Sequence, residues 1–215
     1  MVPMKLIGLD LGQTQDFTAL AVLRRPRKTG KETRHDPPPV YDVPHLQRFP
    51  LGTPYPQIVS AVVDLLRLPI LRGSMLVVDQ TGVGRAVVDM FTDALHGRAD
   101  GWFCPITITG GIDVTEVNGS MRVPKKELVA CLQVLLQTRR LRIAPSLPDA
   151  AVLVREFETF RVKITEAANE TFGAWREGQH DDLVLAVALA AWMGERCLGY
   201  EGPVGLPTVL GGAGR

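Results

Sequence analysis

Four aspartates stand where acids are expensive. Asp10 interrupts the apolar run Leu6-Ile7-Gly8-Leu9, Asp79 ends Met75-Leu76-Val77-Val78, and Asp181-Asp182 opens an alanine-rich apolar segment. A carboxylate in such a setting is costly to desolvate unless a partner neutralises it. No arginine or lysine stands one ladder position away to do so locally. A single acid of this kind is accounted for by a helix cap or an ion pair. Four, each at the edge of an apolar element, point to convergence on a divalent cation. Oxygen donors without a nearby cysteine or suitable histidine favour Mg²⁺ or Mn²⁺ over Zn²⁺. Two such ions, about 3.5–4 Å apart, activate water and stabilise the leaving oxygen in phosphodiester cleavage. The acids repel one another without metal, so the metal-free site is expected to be loose.

Other readings of the same residues stay open. Asp181 or Asp182 can serve as an N-cap, favourable at the positive end of a helix. Asp10 with Gly12 also matches an Asp-x-Gly turn, and Asp16 reads as a turn residue. Gly82 and Gly84 lie between a strand pattern and a helix pattern, where they can cradle a phosphate or simply form a tight turn. Neither G-x-G-x-x-G nor G-x-x-x-x-G-K-[ST] occurs in the chain. Lys125 and Lys126 begin a helix pattern, an unfavourable place for cations. Together with Arg122 and Arg85 they are the candidates for contact with DNA phosphate, with plain solvent exposure as the alternative.

The elements that must carry these groups follow from periodicity. Strands are expected over residues 5–11, 17–23, 41–49 (weakened by Pro44), 75–79, 102–109 and 141–144. Helices are expected over 54–67, from the turn at 80–84 through Leu95 to Gly97, from Pro124 through Leu135, over 148–160, and over 181–196. The last is apolar on nearly every side and therefore buried. Residues 26–39 and 110–123 read as irregular, 161–176 as a hairpin, and the glycine- and proline-rich end as a frayed tail. Strand pairs followed by alternating helices and strands indicate an α/β domain with a mixed sheet, spanning 1–198, with 199–215 as the tail.

A chain of 215 residues, 46% hydrophobic, suffices for one full core but not for two ordinary domains. It contains no apolar run of about 18 residues and no signal-peptide pattern. Cys104, Cys131 and Cys197 form no C-x-x-C pair and read as thiols of a reducing cytoplasm. The net charge of +1 is a weak footprint for a nucleic-acid binder. Basic residues nevertheless gather in three groups, Arg24–Arg34, Arg122–Lys126 and Arg139–Arg142, which would suit a phosphate backbone if they lined one groove.

Three segments together resemble the acidic motifs of the nuclease domain of viral terminase large subunits: Leu6-Ile-Gly-Leu-Asp-Leu-Gly, Val77-Val-Asp-Gln-Thr-Gly-Val-Gly-Arg and His180-Asp-Asp-Leu-Val-Leu-Ala-Val-Ala-Leu-Ala. Val123-Pro-Lys-Lys-Glu-Leu-Val-Ala-Cys-Leu-Gln resembles their middle region, and the likeness spans about residues 5–195. It implies an RNase H-like fold, a central mixed β-sheet flanked by α-helices, related to RuvC resolvases. It implies cleavage of double-stranded DNA in phage genome packaging by two Mg²⁺ or Mn²⁺ ions. Asp10, Asp79 and Asp182 would be the catalytic ligands, with Asp181 as an auxiliary metal ligand. A packaging ATPase, as a domain or a separate chain, and portal or small-terminase partners are implied as well, although no Walker motif is present here. A Holliday-junction resolvase or transposase core keeps the chemistry and changes the substrate. Leu9-Asp-Leu-Gly-Gln-Thr also resembles the phosphate-binding start of actin and sugar kinases, an ATP-binding alternative. An inactive DNA-binding or assembly module that merely keeps the fold is the remaining reading.

Overall fold

The computed structural model describes residues 3–12, 16–26, 37–82, 85–96, 101–117, 120–159 and 181–196. The expected hairpin at 161–176 and the tail at 199–215 lie outside them, as does most of the 26–39 loop.

Strand β1 (Met4–Asp10) is the axis of the molecule. It pairs antiparallel with β2 (Ala19–Arg25) and parallel with β4 (Ser74–Asp79), so both of its edges are occupied. Both of its faces are covered as well, which is why its sequence is apolar without alternation. Beyond β2 lie β3 (Tyr41–Arg48) and the short β8 (Leu141–Ile143). Beyond β4 lie β5 (Gly101–Thr109), β7 (Ser120–Pro124) and β6 (Thr115–Val117). The result is an eight-stranded mixed sheet in the order β6-β7-β5-β4-β1-β2-β3-β8.

Alternate residues of each central strand feed two separate cores. Ile7, Leu9, Leu76 and Val78 face α1 (Tyr55–Leu66) and α2 (Arg85–Leu95). Leu6 and Val77 face the other side, against α3 (Lys125–Gln137), α4 (Ala150–Thr159) and α5 (Asp182–Arg196). Helix α5 is buried without interruption from Asp182 to Gly194, as its all-round apolar sequence requires.

The register of α5 on β1 is set by Gly8. A Cβ built there would lie 1.8 Å from the carbonyl oxygen of Ala186, so the helix backbone rests directly on the strand. At its far end, Glu195 accepts hydrogen bonds from Tyr41 Oη at 2.7 Å and from both terminal nitrogens of Arg140, at 3.0 and 2.9 Å. The helix is thereby tied to β3 and to the turn before β8.

One local outcome differs from the sequence expectation, and one strand expected to be weakened is present. Residues 110–123 contain β6 and β7. The alternation Met121-Arg122-Val123 is too short to register as a strand until β5 is alongside it. Pro44 does not end β3, because the β2–β3 register shifts between Val22 and Arg24. An irregularity there accommodates a residue with no N–H to donate. Among the described residues no helix is long and apolar enough to cross a membrane. Cys104 is buried and Cys131 half-buried, and neither is in a disulfide bond.

Candidate metal centre

Asp10 and Asp79 are paired positions on adjacent parallel strands. Across the sheet the same row continues from Asp10 to Ala19 and from Ala19 to Arg48. Asp79 shares its face with Val77, and Asp10 shares its face with Leu6 and Gly8, the side that α5 covers. Asp182 begins α5 one helical turn before Ala186, and Ala186 lies on Gly8. A turn of helix and two residues of strand both advance about 6 Å. Asp182 therefore arrives at the level of Asp10. Sequence positions far apart meet because one glycine lets one helix sit close.

All three acids are buried, with Asp10 8%, Asp79 6% and Asp182 3% exposed. Burial, then the charges of Asp79, Asp181 and Asp182, push the Asp10 carboxyl well above the usual carboxylate range, against an opposing pull from Lys125. Burial also raises Asp79, and its hydrogen bonds oppose this. Asp79 Oδ1 accepts from Thr81 N at 2.8 Å and Thr81 Oγ1 at 2.5 Å, the Asx turn that leads out of β4. Gly82, at φ 78°, completes this turn in the left-handed region.

Asp181 stands just before α5, where its backbone oxygen accepts from Leu185 N at 2.9 Å. Its side chain does something else: Oδ2 accepts from Lys125 Nζ at 3.0 Å. Lys125 begins α3 directly after β7 with no intervening loop. A cation at a helix start is unfavourable, and here a carboxylate compensates it. Lys125 is thus turned into the acid cluster, with only 13% of its side chain exposed.

Two charged residues of the site are absent from the sequence expectation. Arg48, at the end of β3, pairs through Nη2 with Asp182 Oδ2 at 3.1 Å and with Glu156 Oε1. Glu156, on α4, accepts from Val184 N at 2.9 Å through its other oxygen. Burial pushes Glu156 up to about 7, with Asp182 and Asp181 adding to the rise and the Val184 N–H and Arg48 opposing it. In the sequence, Glu156 looks like one of several charges on an amphipathic helix, and Arg48 like a strand-end cation. The available signal is the position of Arg48, which closes a strand whose partner begins at Ala19, opposite Asp10.

The described members of the three basic groups do not line one groove, and Arg27, Lys28, Lys31 and Arg34 lie outside the described residues. Arg24 and Arg25 lie across from Lys5 and Met4, at the opposite end of β1 from Asp10, because the β1–β2 pairing is antiparallel. Arg140 is committed to Glu195 at the far end of α5, and Arg24 to Asp42 at 2.9 Å. Arg122, Lys125 and Lys126 lie at the acidic end, around the β7–α3 junction. Arg85, at the start of α2, follows the turn after Asp79 and is exposed.

The donor set consists of carboxylate oxygens in negative surplus, which suits a hard divalent cation. Among the described residues, however, no three carboxylate, imidazole or thiol donors converge tightly enough, as placed, to enclose one ion. As placed, Asp181 is paired with Lys125, Asp182 with Arg48 and Asp79 with Thr81. The residues fit the ion in chemistry and in neighbourhood.

No protein-family model matches the sequence, and no curated protein matches it either. Solved structures do. The large terminase nuclease of thermophilic phage G20c superposes with a TM-score of 0.58 at 21% identity, covering 87% of this chain and 81% of that one. The human cytomegalovirus terminase nuclease domain, solved after a Mn soak, superposes with a TM-score of 0.52 at 12% identity, covering 89% and 84% respectively. At such identities the likeness speaks to backbone architecture, and in architecture this chain has the RNase H-like fold of terminase nuclease domains.

Proposed function

We propose that this protein is a metal-dependent endonuclease that hydrolyses phosphodiester bonds of double-stranded DNA, acting in viral genome packaging. One observation carries the reading: Asp10 and Asp79 are register partners beneath the helix start that bears Asp181 and Asp182. The fold shared with two terminase nucleases supports it, as does the Mn soak of the cytomegalovirus domain.

In this reading Asp10, Asp79 and Asp182 are the principal ligands of two Mg²⁺ or Mn²⁺ ions, and Asp181 assists. Bound there, the ions would supply water activation and stabilisation of the leaving oxygen. The chain's own residues do the rest. The Thr81 bonds fix one oxygen of Asp79. Lys125 offsets the surplus negative charge. Lys126, Arg122 and Arg85, near the same end of the sheet, are the proposed phosphate contacts, and Lys125 joins them only by leaving Asp181. A packaging ATPase, on this chain or another, would deliver the DNA.

The test is nicking or linearisation of supercoiled plasmid with Mn²⁺ or Mg²⁺, abolished by EDTA and by Asp79→Asn. A folded, metal-supplied preparation that leaves plasmid intact would overturn the proposal in favour of a non-catalytic DNA-binding or assembly module. Branched against linear substrates separates resolvase-like from terminase-like cleavage.

A further inference from the structure

We infer that Arg48 is a positioning residue, fixing the Asp182 carboxylate beside the other acids of the site, and that Glu156 fixes Arg48 for this task. The inference rests on the nuclease reading above and concerns residues that reading does not use.

Arg48 is gripped from several sides. Its backbone N–H donates to Asp149 Oδ2 at 3.2 Å. Its guanidinium lies 4.5 Å from the centre of the Phe17 ring, a cation–π contact. Its Nη2 reaches both Glu156 and Asp182, the latter at 3.1 Å. Glu156 in turn accepts from Val184 N, two residues beyond Asp182 in the first turn of α5. The contacts close a ring, from the Asp182 side chain to Arg48, to Glu156, to the Val184 backbone and back to Asp182. One pair of residues therefore fixes both the helix start and the carboxylate it carries.

The chemistry suits orientation better than stabilisation. A buried ion pair often contributes no more stability than an apolar pair of the same volume. The guanidinium, stacked on Phe17, presents one nitrogen, Nη2, to both carboxylates, and its rigid plane keeps that nitrogen in place better than a flexible ammonium stem would. The Arg48–Glu156 pair is formally neutral, so it adds little net charge to the acid cluster. Its contribution is directional.

That neutrality makes the inference testable without altering the charge of the site. The double variant Arg48→Met with Glu156→Gln keeps the net charge of the wild type. Mn²⁺ binding to metal-free protein is measured by titration calorimetry, with circular dichroism to establish folding. Groups that orient metal ligands are typically worth about 10–100-fold in metal affinity, and a loss of about that size is expected. Plasmid cleavage should show the loss mainly in the Mn²⁺ concentration needed, with the rate at saturating Mn²⁺ less affected. Arg48→Lys, which keeps the charge but not the rigid plane stacked on Phe17, should fall between wild type and double variant. A folded double variant that binds Mn²⁺ as the wild type does would overturn the inference. Should the double variant not fold, undiminished binding by Arg48→Lys would overturn it equally. A wild type that takes up no Mn²⁺ would overturn the nuclease reading itself, an outcome distinct from both.

Discussion

Gly8 of β1 lies against the carbonyl oxygen of Ala186 in α5, so close that any side chain on Gly8 would occupy the helix backbone's space. This contact sets the depth at which Asp182 meets Asp10. Gly8→Ala places a Cβ 1.8 Å from that oxygen, and the obstacle is backbone, which no rotamer change relieves. A loss of about 1–3 kcal/mol or more is expected, at the upper end of overpacking costs, measured as a shift of the urea midpoint. Wild-type stability in the variant would mean that α5 is not seated as described.

Asp79→Asn is the cleanest way to remove a site acid. Asparagine keeps an oxygen able to accept the Thr81 hydrogen bonds, so the turn after β4 should survive. Cleavage should fall by about three orders of magnitude or more, because a lost ligand forfeits several kcal/mol of charge stabilisation. Plasmid assays at fixed Mn²⁺ check the activity and circular dichroism the fold. Near-normal cleavage would remove Asp79 from the machinery.

Asp10→Asn should separate stability from function. In the metal-free protein the Asp10 carboxyl is raised by burial and by three neighbouring acids. Removing its charge should raise the Tm measured in EDTA at pH 8, while abolishing cleavage. A lower Tm would mean that the acids are better compensated than their surroundings indicate.

Mn²⁺ should stabilise the wild type. A ligand at about 100 times its Kd adds roughly 2.7 kcal/mol, which for a chain of this size is a Tm rise of about 5–10 °C. EDTA should reverse the rise, and Asp79→Asn should not show it. A Tm indifferent to Mn²⁺ in differential scanning calorimetry would argue against a metal site.

The pH dependence of the metal-free protein has a definite sign. Glu156 is raised from 4.5 to about 7, and Asp10 is raised as well. The folded state therefore holds protons that the unfolded chain has already released. The associated stability is complete below about pH 4.5 and is lost as pH rises through about 7. Tm in EDTA should fall between pH 5 and pH 8, and saturating Mn²⁺ should flatten the fall. A rising Tm over this interval would contradict the raised carboxyls.

Asp10, Asp79 and the Asp181-Asp182 pair are legible in the sequence because each interrupts an element whose neighbours must be buried. The α/β order and the mixed sheet are legible for the same reason, since β1 and β4 are apolar on both faces and α5 on all sides. Arg48 and Glu156 are not. Their charges look ordinary until β3 is placed beside β2 and α4 against α5, contacts that depend on long-range pairing. Lys125 is half legible: its awkward place at a helix start signals a compensating anion, and the nearest is Asp181 of the protein itself. Whether basic groups share a groove is not legible, because linear clustering carries no information about which end of a strand a residue occupies.

Helix α5 is pinned three times along its length: at Val184 by Glu156, at Ala186 by Gly8 and at Glu195 by Tyr41 and Arg140. So fastened, it can neither roll about its axis nor slide along the sheet without breaking a buried contact. Asp181 and Asp182 must therefore answer a change in local charge by side-chain torsion alone, against a backbone that stays still.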